Sequence, residues 1–195
     1  TFLNTLIFDP FLTNGVAGTN SFVMNGAPIQ ISSAVSYFLP RTLGGFYGQL
    51  QYAWGPASTP TSKSYRGFRG GYASGPVNVS VAAAQLGFEG AGKLKIANLG
   101  ASYDFGSVKP ALIWAQEKRD GGLSVRAIQL GATATFGAHL VRASIGDYRA
   151  SGGAADAKWR KLGLGYAYNF SKRTMLYVSA GFVSNGDGAN RAVAA

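Results

Sequence analysis

The ionisable side chains of this sequence indicate which chemistry it can perform. The chain has 18 Lys and Arg against 8 Asp and Glu, a net charge of +10, one histidine and no cysteine. The single histidine, His139, lies at a predicted turn, and the sequence has no nucleophile motif and no cluster of metal ligands. Without cysteine, thiol catalysis and cysteine zinc sites are excluded. The sequence therefore predicts no enzyme, no metal site and no cofactor, and leaves electrostatic chemistry for its charged side chains.

The basic residues are dispersed along the chain. Their closest groupings, at 118–119, 158–161 and 172–173, each lie beside a predicted turn or loop. Nucleic-acid binding needs lysine and arginine concentrated on one surface or one helix. Because this chain lacks such a concentration, we expect no nucleic-acid partner.

An alternation of bulky and small residues predicts that the charges are carried by β-strands. No run of 18 or more apolar residues is present that could form a membrane helix. Ten segments instead alternate bulky and small residues. The connections between them are short and long in turn, and the long ones are rich in Ser, Gly and Ala, as in an up-and-down meander with its tight turns at one end. The predicted strands are 29–39, 45–54, 65–74, 77–86, 93–105, 109–118, 123–136, 138–149, 159–170 and 174–184.

The two faces of each predicted strand see different solvents. In residues 162–170 the even positions are bulky, from Leu162 to Phe170, whereas the odd positions include Gly163 and Gly165. Strands of about 10 residues suffice to cross a bilayer, and aromatic residues recur just before the short turns, where an interfacial girdle would lie. The pattern favours an all-β fold, a transmembrane antiparallel up-and-down β-barrel with its bulky face toward lipid. A large soluble β-barrel or a repetitive fibre is the alternative.

Alternation also sorts the basic residues by face. Arg69, Arg142 and Lys161 each alternate with bulky neighbours, so they are predicted to line the lumen. A charge in a narrow channel with low-dielectric walls enriches ions of opposite sign. The alternative for each residue is a solvated charge near the rim. Arg126 shares the parity of the bulky residues and is expected either above the hydrocarbon layer or shifted inward by a bulge.

The amino-acid sequences of several predicted strand pairs resemble those of a known family. The stretches are SAVSYFLPRTLGGFYGQLQYAWG (33–55), GYASGPVNVSVAA (71–83), NLGASYDFG (98–106), IQLGATATFGAHLVRASIGDY (128–148) and KLGLGYAYNFSKRTMLYVSAGFV (161–183). They resemble the trimeric general porins of Gram-negative bacteria, in particular those of Burkholderia-like β-proteobacteria. The resemblance implies a sixteen-stranded barrel in the cell outer membrane that passes small hydrophilic solutes and ions. The placement of the inward cations predicts a preference for anions. A structural or adhesive barrel with a blocked lumen is the alternative function.

The resemblance also assigns the parts of the chain. Residues 29–185 would supply ten barrel strands with short periplasmic turns and longer external loops, and residues 186–195 would begin the last external loop. The remaining strands are then expected in a longer polypeptide, because an incomplete sheet cannot close in a membrane. The implied partners are outer-membrane lipid and lipopolysaccharide, further copies in a homotrimer, and small solutes and anions.

Residues 1–28 resemble the external loop that folds into the barrel and constricts it. Asp9 and Asn14 in this segment are candidates to oppose a basic wall, although Asp9-Pro10 is equally explained as a turn. Related porins that prefer anions often carry an arginine in the strand that follows this loop. This sequence has Ser36 at the corresponding inward position, which we take as pore-lining.

Overall fold

The computed structural model describes residues 2–13, 15–18, 30–40, 42–55, 62–90, 92–153, 156–186 and 188–192. Within these residues the chain forms one short helix followed by ten strands. Their bounds are α1 Phe2–Phe8, β1 Ala34–Phe38, β2 Phe46–Ala53, β3 Ser62–Ser74, β4 Val77–Phe88, β5 Gly92–Tyr103, β6 Val108–Arg119, β7 Ser124–Phe136, β8 His139–Ser151, β9 Ala157–Ser171 and β10 Thr174–Asn185.

The ten strands form a single antiparallel sheet in which each strand pairs with the next along the chain. The predicted fold class, an all-β up-and-down meander, is confirmed. The main difference in boundaries is at β1, which begins at Ala34 rather than at residue 29, a position outside the described residues. Two of the tight connections need a left-handed backbone, and Gly75 and Gly137 supply it with φ of 53° and 60°.

The strands are long for a sheet of this size. Strands β3 to β10 contain 12 to 15 residues each, whereas a tilted strand crosses a bilayer with about 9 to 11. Among the described residues, no helix combines the length and the apolar character needed to span a membrane.

The two faces of the sheet differ in what covers them. Residues 2–13 and 15–18, which we call the inner segment, pack across one face, the inner face. The opposite, outer face carries the bulky members of the alternating pattern, as predicted, and leaves them exposed. Examples are Val81, Leu99, Leu130, Ile145, Leu162, Leu164, Val178 and Phe182.

The inner face is not uniformly small and polar, as the pattern of residues 162–183 had suggested. Near the long connections it carries a buried apolar cluster in which the rings of Tyr148 and Trp159 stack at 5.7 Å between centroids. Phe8 of the helix packs into the same cluster. The other large members are Tyr65, Leu86, Leu94, Ile96 and Ile113. The inner face therefore has an apolar half near the long connections, and small residues such as Gly165 and Ala167 lie toward the short turns.

Candidate functional site

Helix α1 is joined to the inner face through its polar residues. One side of the helix buries Asn4, Thr5 and Phe8, and Phe8 lies three and four residues after the other two, on the same helix face. The Asn4 side-chain amide donates to Asn98 Oδ1 at 2.9 Å, and Asn98 Nδ2 donates to Thr5 Oγ1 at 3.2 Å. Ser80 Oγ also donates to Asn4 Oδ1. Because these buried polar groups satisfy one another, the helix is fixed across β4 and β5.

Glycines in the strands let the inner segment lie directly on the sheet. Phe8 packs over Gly100 of β5, where a Cβ would overlap the aromatic ring. Further along, Phe11 packs over β9, and a Cβ on Gly165 would lie 2.7 Å from the Phe11 ring. The segment therefore crosses the inner face from β5 to β9 as a single thin layer.

Asp9 holds the segment in place rather than facing open space. Its carboxylate is 2% exposed and accepts hydrogen bonds from the backbone N–H groups of Phe11 and Thr13 at 3.1 and 3.0 Å. Gln129 Nε2 of β7 donates to the same carboxylate at 3.2 Å. These bonds are typical of a turn, the alternative given for Asp9-Pro10. They place Asp9 against the inner face of the sheet and not across a lumen from it. Asn14, the second predicted residue of this segment, lies outside the described residues.

Lys161 is on the inner face, as alternation predicts, but it lies under the inner segment. Its side chain is 3% exposed, and its ammonium donates to the carbonyl oxygen of Gly18. The carboxylate of Asp9 is close enough to interact with it electrostatically. Lys161 is therefore an anchor for the inner segment and not an exposed lining residue.

Arg69 lies on the inner face of β3, between Gln49 of β2 and Ala82 of β4. Its guanidinium sits over the ring of Tyr47 at 4.9 Å, a cation–π arrangement. Within the described part of the chain, its Nε and Nη1 atoms have no hydrogen-bond partner and no acid forms an ion pair with it. Its positive charge is therefore uncompensated by the described residues.

Arg142 faces the inner side of β8 and is half-buried. It borders a cavity of about 280 Å³ between the inner segment and the sheet, which Lys109 of β6 also lines. Asp104, from the short connection between β5 and β6, is an acidic residue on the rim of this cavity. The two cations therefore approach one space from different strands.

The remaining predicted residues take simpler positions. Ser36 is half-buried on the inner face, and its hydroxyl accepts a hydrogen bond from Gln49 Nε2 at 3.5 Å. Arg126 is exposed on the outer face, and the regular register of β7 with β8 shows no bulge that would shift it inward. His139 is bonded to the Tyr166 hydroxyl at 2.8 Å, near the short turns. Among the described residues, no group of His, Asp and Glu is arranged to hold a metal ion.

Comparison with known proteins decides the family. A family model described as Gram-negative porin matches residues 1–188. The chain belongs to the Gram-negative porin family. Outer membrane porin protein 32 of Delftia acidovorans is 34% identical over 172 residues, which cover 82% of this chain and 48% of that protein. The family places this porin chain in the outer membrane of a Gram-negative bacterium.

Solved structures show the same fold. An anion-selective porin from Comamonas acidovorans superposes with a TM-score of 0.69 at 32% identity, over 80% of this porin chain and 50% of that one. The trimer form of OmpT from Vibrio cholerae, folded in vitro, gives a TM-score of 0.65 at 14% identity, over 78% and 54% of the two chains. This porin chain spans about half the length of these relatives.

Sequence reasoning missed two parts of this site. Lys109 could have been found, because in β6 it has the parity of the inward residues Ala111 and Ile113. Gln129, which joins Asp9 to the Tyr148 hydroxyl, left no such signal. A neutral residue on the inner face of a strand looks like any other small polar position until the residue that contacts it is known.

Proposed function

We propose that the protein forms a water-filled outer-membrane channel for passive diffusion of small hydrophilic solutes and ions, with a preference for anions. The observation that carries the proposal is the sign of the inner-face charge. Arg69, Arg142 and Lys109 lie on that face of the sheet. Cations on the wall of a narrow channel concentrate anions, and this effect weakens as salt screens the charges.

The inner-face acids of the described residues do little to offset these cations. Asp9 is buried and accepts three hydrogen bonds from the inner segment and β7. Glu117 is 7% exposed within the apolar half of the inner face. Both carboxylates are buried, whereas Arg69 and Arg142 are half-buried. Asp104 is exposed on the rim of the cavity that Arg142 borders, so one accessible acid stands against the three cations. The field seen by a permeating ion is therefore dominated by positive charge.

The inner segment supports the constricting role proposed for residues 1–28. It lies on the face that a closed barrel would turn toward its lumen, and it is fixed there by Asn4, Asp9 and Lys161. Since it follows the wall as a thin layer, it narrows a channel without crossing it. A barrel with a blocked lumen and a structural or adhesive role is the alternative that must be tested.

The assembly and surroundings of the channel form part of the same proposal. We expect a homotrimer, in line with the trimer form of the Vibrio cholerae relative, surrounded by outer-membrane lipid and lipopolysaccharide. The short turns face the periplasm and the longer connections face outward, as in outer-membrane barrels generally.

Ion selectivity is tested with the full-length protein in planar bilayers. We expect the zero-current potential in a salt gradient to report anion preference at low salt, and the double change Arg69→Glu and Arg142→Glu to reverse or abolish it. Arg66→Glu is the matched control, because Arg66 lies on the outer face and bonds Gln85 at 3.0 Å. Cation preference in the unchanged protein, or equal effects of the control, would contradict the proposal. Failure of liposomes containing the protein to pass sugars would favour the blocked barrel.

A further inference from the structure

Arg142 also borders a second cavity, which lies on the β10 side of the inner segment. This cavity has a volume of about 320 Å³ and is formed by β8, β9, β10 and the end of the inner segment. We call it the aromatic cavity, because Phe11 and Tyr177 are part of its wall. The described residues that line it include one cation, Arg142, and no carboxylate. It therefore differs in charge from the 280 Å³ cavity, which has Asp104 on its rim.

Strand pairing gives the aromatic cavity a flat floor. On the inner face, Arg142 of β8 pairs opposite Gly165 of β9, and Gly165 pairs opposite Ser179 of β10. The next inward position of β9 is Ala167, which pairs opposite Tyr177. Strands β8 and β10 are about 10 Å apart, since each strand spacing is about 4.8 Å. Because glycine and alanine hardly project from β9, the space between the side chains of β8 and β10 stays open.

The sides of this floor differ in their chemistry. On the β8 side, Arg142 is half-buried, and within the described part of the chain its guanidinium has neither a hydrogen-bond partner nor an ion-pair partner. On the β10 side, Tyr177 is 70% exposed. Phe11 and Leu12 of the inner segment close a third side with apolar groups. A solute on the floor thus meets a positive charge at one end and aromatic and apolar surface along its length.

We propose that the aromatic cavity binds planar aromatic carboxylates, with the carboxylate bonded to Arg142 and the ring lying between Phe11 and Tyr177. An arginine donates two parallel hydrogen bonds to one carboxylate. Aromatic rings in contact gain affinity beyond the burial of their surface. A small inorganic anion would use Arg142 alone and leave both rings uncovered. The proposal rests on the proposed channel function, because it names a class of anion that the channel holds on its inner face.

Binding is tested by NMR titration of benzoate with the full-length protein in detergent. Acetate lacks the ring and benzyl alcohol lacks the charge, so each should bind the unchanged protein about 10-fold more weakly than benzoate does. The change Tyr177→Ala should weaken benzoate binding by about 10-fold and leave acetate binding unchanged. The change Arg142→Gln should weaken benzoate binding by a similar factor and leave benzyl alcohol binding unchanged.

Two further variants separate the ring from other effects. Tyr177→Phe keeps the ring and should bind benzoate as the unchanged protein does. Tyr103→Ala is the matched control, because it removes an aromatic residue near the short turns from the outer face of β5, where Tyr103 is 42% exposed. It should leave benzoate binding unchanged.

Three results would overturn the site. They are equal benzoate affinity in Tyr177→Ala and the unchanged protein, equal loss of affinity in Tyr177→Phe or Tyr103→Ala, and acetate binding as tight as that of benzoate. Chloride conductance of the unchanged protein in planar bilayers is measured separately. If the protein conducts and any of the three results is found, the site fails and the channel proposal stands. If the protein does not conduct while benzoate binding follows Tyr177 and Arg142, the channel proposal fails and the site stands.

Discussion

The bonds of Asp9 give a sharp prediction for the inner segment. In Asp9→Ala, the N–H groups of Phe11 and Thr13 and the amide of Gln129 lose their acceptor. The bonds from Phe11 and Thr13 lie within the segment, and the bond from Gln129 joins the segment to the sheet. A hydrogen bond to a charged group contributes about 2 kcal/mol, so loss of the Gln129 bond makes undocking of the segment easier by about 2 kcal/mol. That corresponds to an increase of about 30-fold in the undocked population. The burial of Lys161 without its neighbouring carboxylate adds to the effect.

Asp9→Asn should raise the undocked population less than Asp9→Ala does. Oδ1 accepts from Phe11 and Gln129, whereas Oδ2 accepts from Thr13. An asparagine keeps the Oδ1 bonds and replaces Oδ2 by a donor, which cannot accept from Thr13. We therefore expect loss of one bond and of the charge, and an undocked population between those of the unchanged protein and Asp9→Ala.

The absence of cysteine makes the assay direct. Thr13 is 6% exposed, so a cysteine placed there reacts with a thiol reagent only when the segment leaves the wall. The reaction rate should rise in the order unchanged, Asp9→Asn, Asp9→Ala, while the stability of the barrel stays nearly constant. Asp120→Ala is the control, because Asp120 accepts from the Lys93 N–H at 3.0 Å in an exposed turn away from the segment. An unchanged rate in Asp9→Ala, or an equal rise in the control, would refute the anchoring role.

The other predictions concern the two faces and ends of the sheet. Leu164→Lys on the outer face should make folding into liposomes less favourable by about 2–4 kcal/mol, whereas Gln51→Lys on the inner face should change the folding free energy little. Equal destabilisation by the two changes would show that the faces are misassigned. On intact cells, a cysteine replacing Glu89 in the β4–β5 connection should react with an impermeant label and one replacing Lys172 should not. If the cysteine at residue 172 is labelled and the one at residue 89 is not, the short turns face outward and the orientation is the opposite of the one proposed.

Much of the fold follows from local pattern, because successive side chains of a strand point to opposite faces. The alternation in residues 162–170 assigns Leu164 and Gly165 to opposite faces without any knowledge of what either residue contacts. Turn chemistry then links neighbouring strands, so the order of the meander follows as well. The same rule places Arg69 and Arg142 on the inner face.

Helix α1 escaped this reasoning for a physical reason. A segment of 7 residues is too short to show a helical period, and isolated helices of that length are not stable in water. Its buried side includes Asn4 and Thr5, which have polar partners only because Ser80 and Asn98 lie on the facing strands. Tertiary contacts, not local preference, stabilise it.

Local pattern predicts the strands, their order and the face to which each side chain points, since these depend on residues a few positions apart. Which inner-face residues are covered depends instead on long-range packing. Asp9 meets Gln129 across 120 positions, and Lys161 meets Gly18 across 143. Alternation states that Lys161 points inward, but whether its ammonium faces water or protein depends on a segment that is distant in sequence. Packing between such segments is set by shape and hydrogen bonding, which no local period encodes.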